Sequence, residues 1–409
     1  MKRKRIAGIA CFTAIALIAG CGGGKDMSLN EKKNLAPVED LTAFGEYSPE
    51  TWLKPFWYTR EVYNETLMFV GEDDEARLLY DADDIIAVLS YGLDMRYEKD
   101  RDYTYENGVF KRTADSAIPY WETDDYYRIS PDSYSIGVDK SKLNIELSGD
   151  RYLKYGEQDT FTSKQIAVTY THSAVWEGPV PQGKSEKFSK TLAKIKAGEK
   201  VKLLFYGDSI STGCNASGTP QGGEVSPYTP SFPDMICEYT KEKYGGEVEC
   251  VNTAVGGKNV FWGQNELEER VLSHAPDMVF VGFGMNDGKT AVDTYKNATE
   301  DIIERIHAAL PETEIVLIAT MLPNYEADHN WCGNQEKFAA TLLELEKAYS
   351  FIGVANVTEM HKALFEAGKR YRDVTGNNIN HPNDFVVRLY AQVLLKTVFG
   401  NDFCEEIYE

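Results

Sequence analysis

From residue 201 onward, short apolar runs alternate with longer amphipathic stretches. VKLLFYG, VECVN, DMVFVGFG, EIVLIAT and FIGVANV read as five strands. Their nearly continuous apolar character predicts burial on both faces, as in a parallel sheet. FPDMICEYTKEKYG, QNELEERVLSH, TYKNATEDIIERIHAAL and NQEKFAATLLELEKAY read as the intervening helices, and a last helix is expected near 383–399. Right-handed crossovers between such strands give a three-layer α/β sandwich.

Residues 46–198 follow another pattern, rich in Tyr, Thr and Val. In RDYTYENGVFKR, Asn107-Gly108 lies between two alternating runs, a hairpin signal. KLNIELSG and QIAVTYTH are expected to be further strands, while DDIIAVLSYGL fits either strand or helix. Short strands with turn residues between them predict a β-sandwich. SKTLAKIKAGE reads as a short helix leading into the second region, 199–409.

The first twenty residues stand apart. Lys2, Arg3, Lys4 and Arg5 precede the apolar run IAGIACFTAIALIAG, which has the shape of a signal peptide and is short for a bilayer span. Its end, Ile18-Ala19-Gly20-Cys21, resembles a bacterial lipobox. That resemblance implies cleavage before Cys21 and a lipid on its thiol, hence an extracytoplasmic, cell-surface protein that meets the membrane only through its anchor. Residues 21–45 are Gly-rich, then charged, and read as a flexible tether.

Charge narrows the possible partners. With 43 basic and 64 acidic residues the net charge is −21, which argues against nucleic-acid binding and mildly favours neutral substrates. Of seven cysteines, Cys11 would leave with the signal and Cys21 would be lipidated. Cys214, Cys237, Cys250, Cys332 and Cys404 remain, an odd number at wide spacings without C-x-x-C. We therefore expect no zinc site, no disulfide framework and at least one free thiol.

In open parallel sheets, ligands bind beyond the carboxyl ends of the strands, so the residues following each strand carry the chemistry. Gly207-Asp208-Ser209-Ile210 follows the first strand, and a tight turn there would display the Ser209 hydroxyl near a helix N-terminus. Asn252-Thr253-Ala254-Val255-Gly256-Gly257 follows the second, where glycines let backbone N–H groups approach a ligand. Gly284-Met285-Asn286-Asp287 follows the third and offers an uncharged amide donor suited to an oxyanion. Late in the chain, Asn378-Ile379-Asn380-His381-Pro382 places a histidine just before the last helix, where it could act as a general base. His172, His274, His307 and His361 read as structural or surface residues; His329, near Trp331, lies in another strand-end loop.

Taken in order, these four blocks resemble the GDSL, or SGNH, hydrolases. The resemblance covers about 199–409. It implies a flavodoxin-like three-layer fold with a five-stranded parallel sheet, and ester hydrolysis without metal or cofactor. Ser209 would be the nucleophile and His381 its base. Ser209 N–H, Gly257 N–H and the Asn286 amide would hold the oxyanion, with Gly256 competing for the glycine role. One position departs from the family pattern: three residues before the histidine, where most members carry Asp, stands Asn378. Because that acid orients the imidazole and stabilises its cation, its role must fall elsewhere. Asn378 Oδ1, a backbone carbonyl (leaving a Ser–His dyad), or Asp373 or Asp384 could take it.

A β-sandwich, jelly-roll-like, before such a domain looks like the architecture of carbohydrate esterase family 2, which removes O-acetyl groups from plant polysaccharides. That likeness implies an acetylated oligo- or polysaccharide as substrate. Asp208, Gly256, Trp262 and Trp331 are expected on the substrate side of the site, whereas Trp52, Trp57, Trp121 and Trp176 read as core or junction residues. Two other readings remain: a lipase or thioesterase of the same family, and an inactive glycan-binding surface lipoprotein.

Overall fold

The structure, a computed structural model, describes residues 47–404 except 144 and 329–331. The expected signal peptide, the tether, Cys21, His329 and Trp331 therefore lie outside the described residues. Among the described residues, nine strands belong to the first half: β1 (Glu61–Met68), β2 (Glu75–Arg77), β3 (Asp84–Ser90), β4 (Tyr103–Glu106), β5 (Val109–Arg112), β6 (Tyr127–Arg128), β7 (Ser135–Gly137), β8 (Tyr152–Lys154) and β9 (Gln165–Thr171). They form three antiparallel sheets in the orders β1-β9-β3, β2-β5-β4 and β6-β8-β7. The Asn-Gly hairpin joins β4 to β5, with Asn107 at φ 52° and Gly108 at φ 75°, the pair of positive angles that a two-residue turn requires. The ambiguous DDIIAVLSYGL is strand β3. Two one-turn helices, α1 (Pro49–Trp52) and α2 (Thr123–Tyr126), complete this region.

KLNIELSG is not a strand; a 3-10 turn at Lys140–Lys142 leads into irregular chain. Leu143 and Leu147 still rest against a small apolar cluster while Ile145 is exposed, so the alternation partitions side chains without a neighbouring strand to pair with.

The second half begins with α3 (Ser189–Lys196) and then alternates as read from the sequence: β10 (Val201–Gly207), α4 (Phe232–Tyr244), β11 (Val248–Asn252), α5 (Val260–Asn265), α6 (Leu267–Arg270), β12 (Met278–Gly282), α7 (Val292–Ala309), β13 (Glu314–Ala319), α8 (Gln335–Ala348), β14 (Ile352–Asn356), α9 (Val357–Glu366) and α10 (Asp384–Phe399). All strand pairs are parallel, in the order β11-β10-β12-β13-β14, the flavodoxin-like arrangement. Alternate strand residues face opposite cores. Leu203, Phe205, Phe280, Val316 and Ile318 pack with α3, α4, α9 and α10, whereas Leu204, Tyr206, Val279, Val281 and Leu317 pack with α5, α7 and α8.

Three expectations in this half need correction. The segment QNELEERVLSH is broken: α5 starts earlier, where Asn259 caps Trp262 N–H at 3.1 Å, and gives way to α6 after Asn265. Helix α9 was not anticipated, although Asn356 and Glu359 stand at capping-box spacing and the Asn356 side chain accepts Glu359 N–H. Cys237 of α4 and Cys250 of β11 form a disulfide, with Cα atoms 6.1 Å apart, because the short α4–β11 connection brings helix and strand together at a spacing that no cysteine motif signals. Among the described residues Cys214, Cys332 and Cys404 are free.

One apolar core crosses the boundary expected near residue 198. It runs from Leu53, Phe56, Val62, Phe69 and Phe110 through Phe232 and Met235 to α10. Every residue of α10 is buried, as befits a helix apolar on nearly all sides and enclosed between the sheet and the N-terminal region. Trp52, Trp57, Trp121 and Trp176 are buried core residues, as expected. His172 stacks on Tyr80 and His361 is buried, its Nδ1 accepting Leu322 N–H at 3.1 Å, in keeping with structural roles.

The segment between α9 and α10 is pinned by charge. Lys369 Nζ lies 2.6 Å from Glu65 Oε1, both fully buried, and Tyr170 O–H donates to Glu65 Oε2 at 2.7 Å. Arg370 bridges Asp74 and Asp373, each at 2.9 Å. Asp373 in turn accepts Met68 N–H through Oδ1, and its carbonyl accepts the Thr66 hydroxyl. Burial alone would raise the Asp373 pKa, but the Arg370 and Lys369 charges and the Arg370 hydrogen bonds hold it down to about 2. A carboxyl depressed in the folded state stabilises above its unfolded pKa and loses that contribution as pH falls through the folded value. Asp373→Asn should therefore cost about 3 kcal/mol at neutral pH. Urea unfolding should show the native advantage shrinking as pH falls from about 4 to 2.

Candidate active site

Ser209 leaves β10 on a turn closed by its neighbour. Asp208 Oδ1 accepts Ile210 N–H at 3.0 Å, and the Ser209 carbonyl accepts Cys214 N–H at 3.0 Å. The following loop is thereby coiled back beside the serine. His381 reaches the same point from the other end of the chain, with Nε2 2.9 Å from Ser209 Oγ. Ser209 is 5% and His381 7% exposed, so the pair is mostly desolvated yet reachable.

His381 is placed by a tight loop organised around Asn377. Asn377 Oδ1 accepts the N–H groups of Ile379, Asn380 and His381, each at 3.0 Å. The His381 carbonyl accepts from Gly376 N–H at 2.9 Å and from the Thr375 hydroxyl at 3.1 Å. Gly376 must be glycine for a packing reason: a Cβ there would lie 2.4 Å from Asn215 Cβ. That close approach brings Asn215 against the far side of the imidazole.

The far side of the base differs from every option the sequence offered. His381 Nδ1 lies 2.8 Å from Asn215 Oδ1, 3.0 Å from Asn377 Nδ2 and 3.2 Å from Glu157 Oε2. Asn215 Nδ2 donates to the carbonyls of Gln158 and Gly376, at 3.0 and 3.4 Å, which fixes its oxygen toward the histidine. His381 Nδ1 therefore carries the proton and donates it to Asn215 Oδ1, leaving Nε2 free to accept from the Ser209 hydroxyl. Asn378, by contrast, adopts φ 70° and turns its side chain away: Oδ1 accepts Tyr126 O–H at 2.8 Å, and Nδ2 donates to the Lys154 carbonyl at 2.9 Å. Asp373 is occupied by Arg370, and Asp384 Oδ1 accepts Ser217 N–H at 2.9 Å. Asn215 and Glu157 were missed because neither lies in a motif. The only sequence hint was negative, the missing Asp.

The expected oxyanion donors gather on the strand-end loops. A Cβ on Gly256 would lie 3.7 Å from Ser209 Cβ, so this glycine abuts the nucleophile; Gly257 beside it adopts φ 73°. Asn286 Nδ2 donates to the Lys258 carbonyl at 2.9 Å, which ties the amide to the glycine loop; its second N–H has no partner among the described residues. Asp287 reinforces the link, both carboxylate oxygens accepting Val260 N–H at 3.2 Å.

Two residues expected on the substrate side make other contacts within the protein. Asp208 is buried, with Oδ2 lacking a partner among the described residues. It shapes the turn, because a short carboxylate is well suited to close one. Trp262 packs its ring against Tyr206 and Phe283 on the sheet, and Lys258 and Arg270 lie over it. It is partly buried, at the margin of the core beside α7.

Together these elements make a serine–histidine centre at the carboxyl edge of a flavodoxin-ordered parallel sheet, beside a glycine loop and a free amide N–H. Residues 205–386 match the model of the GDSL-like lipase/acylhydrolase family. No curated protein matches the chain. Among solved structures, the chain is similar to a two-domain esterase (CEX) active on acetylated mannans, at 20% identity and a TM-score of 0.45; the match covers 55% of this chain and 56% of that one, little more than half of its length. It is also similar to Axe2, an acetylxylan esterase from Geobacillus stearothermophilus, at 16% identity and a TM-score of 0.40, over 51% of this chain and 96% of that one.

Burial pushes the Asp208 carboxyl up to about 7 from its ordinary 3.8; Ile210 N–H opposes the rise and the Asp287 charge adds to it. Burial likewise raises Asp287 to about 6. A carboxyl raised in the folded state keeps a proton that the unfolded chain has released, so it erodes stability as pH climbs from about 4 to 7. Asp208→Asn has no charge to bury. It should gain on the native protein across that window by up to about 4 kcal/mol, seen as a Tm difference larger at pH 8 than at pH 5.

Proposed function

We propose that this protein is a serine esterase that removes O-acyl groups, acetyl foremost, from carbohydrate. The observation that carries the reading is the 2.9 Å contact between Ser209 Oγ and His381 Nε2, with the imidazole tautomer set by Asn215 Oδ1. His381 takes the Ser209 proton as the hydroxyl oxygen attacks the ester carbonyl. The tetrahedral oxyanion is held by Ser209 N–H, a glycine N–H from Gly256-Gly257 and the free Asn286 amide N–H. His381 then returns the proton to the leaving sugar oxygen, and water attacking the acyl-enzyme repeats the sequence with the histidine again as base. A neutral Asn in place of the usual acid still fixes the tautomer, as in papain-like sites.

Polar groups support the carbohydrate substrate. Asn215, Asn377 and Glu157 surround His381 Nδ1 and Asn380 bonds to Asn377, a polar setting suited to a hydroxylated substrate with a short acyl group. A net charge of −21 suits a neutral glycan. We place the enzyme outside the cytoplasm, held by a lipid on Cys21, with residues 46–198 as a β-sandwich accessory domain. The Cys237–Cys250 disulfide fits an oxidising compartment. Among the described residues no helix is long and apolar enough to cross a membrane.

Ser209→Ala should lower turnover of nitrophenyl acetate, and acetate release from acetylated xylan, mannan or pectin, by roughly 10³-fold or more. Full activity in that variant would remove the serine mechanism. Faster turnover of long-chain than acetyl esters would instead favour a lipase or thioesterase. Cys21→Ala should move the expressed protein from the membrane to the soluble fraction.

A further inference from the structure

The N-terminal region reaches the far side of His381 through the turn between β8 and β9. Gly156 N–H donates to the Asn377 carbonyl at 3.3 Å, and the Gln158 carbonyl accepts from Asn215 Nδ2 at 3.0 Å. These two backbone contacts bracket Glu157 between the residues that hold His381. Its own turn is closed by Thr160, whose hydroxyl donates to the Glu157 carbonyl at 2.8 Å. The carboxylate is thereby aimed inward: Oε1 accepts from Asn377 Nδ2 at 3.1 Å, and Oε2 lies 3.2 Å from His381 Nδ1.

We propose that Glu157 is a positioning residue for the serine–histidine reaction, supplying from the N-terminal region the negative charge absent three residues before the histidine. The inference rests on the hydrolase reading above. Asn215 Oδ1 makes the shorter contact and fixes the tautomer, but an amide brings only a dipole to the imidazolium that forms when Ser209 gives up its proton. Glu157 brings a full charge within 3.2 Å of the same ring nitrogen. The two groups divide what a single buried acid does in a triad, one holding geometry and the other offsetting charge. Burial opposes ionisation of Glu157, yet its hydrogen bonds to His381 and Asn377 and the His381 charge hold its pKa below the usual value, so the carboxylate is ionised at neutral pH. Its side chain is about half exposed, at 51%, so solvent screens the interaction and the effect is smaller than for a buried acid. The catalytic centre is then complete only when the two halves of the chain are docked.

The test is Glu157→Gln beside Glu157→Asp and Ser209→Ala, in the full chain, with nitrophenyl acetate as probe. Glu157→Gln should lower kcat by roughly ten- to a hundred-fold, less than the roughly 10⁴-fold lost when a triad acid becomes an amide, because Asn215 still holds the tautomer. KM and Tm should stay close to native, and Glu157→Asp should retain more activity than Glu157→Gln. Native kcat in Glu157→Gln with Ser209→Ala inactive would overturn this inference and leave the hydrolase reading standing. Equal losses in Gln and Asp variants, or a loss that tracks a fall in Tm, would also overturn it. An active Ser209→Ala protein would remove both.

Discussion

The arrangement turns on a helix that has no solvent face. Helix α10 is buried along its whole length because it serves two cores, packing on the parallel sheet with one side and against the N-terminal region with the other. Such a helix must still satisfy its polar side chains, and they bind the surrounding backbone. Arg388 donates to the carbonyls of Tyr63 and Asn64, and Gln392 to those of Trp52 and Lys54. The chain entering α10 is held as firmly: Asn383 Nδ2 donates to Thr66 Oγ1 and Gln165 Oε1, and Gln165 Nε2 to the carbonyls of Arg372 and Thr375. His381 sits in that entering segment. Its position relative to Ser209 therefore depends on contacts made by a part of the chain far from the sheet.

The electrostatics follow from this enclosure. Near the serine, carboxyls are buried without cations beside them, and burial drives Asp208 and Asp287 upward. In the segment that leads to His381, Asp373 is equally buried but faces Arg370 and Lys369, and its pKa falls. The same residue type moves in opposite directions because the partner, not burial alone, decides which protonation state the interior favours. The carboxyls that burial pushes up follow β10 and β12, and those that cations hold down clasp the two regions together.

Local pattern made the catalytic half readable. Strands β10 and β12 to β14 were visible because a strand buried on both faces must be apolar throughout; β11, at the sheet edge, is only partly buried, against the expectation for VECVN. The residues at the carboxyl ends stood out because topology sends loops there. Ser209 and His381 were found in this way, as were the glycine pair and Asn286. The N-terminal region was less legible. Its short strands form three small sheets whose pairing skips along the chain, as in β1-β9-β3, so the alternation in KLNIELSG could not reveal that no neighbouring strand awaited it.

The sequence by itself determined the parallel sheet and the pair Ser209 and His381 that meets at its carboxyl edge, because each depends on periodicity or on a residue's place just beyond a strand. Only the tertiary structure decided what stands behind the base. Asn215 and Glu157 meet His381 across 166 and 224 residues of chain, and Asn378, three positions away, turns toward Tyr126 instead. A hydrogen bond needs atoms within about 3 Å in a particular direction. For Asn215 that geometry arises when the chain entering α10 folds back beside β10, and for Glu157 only when the two separately patterned regions dock.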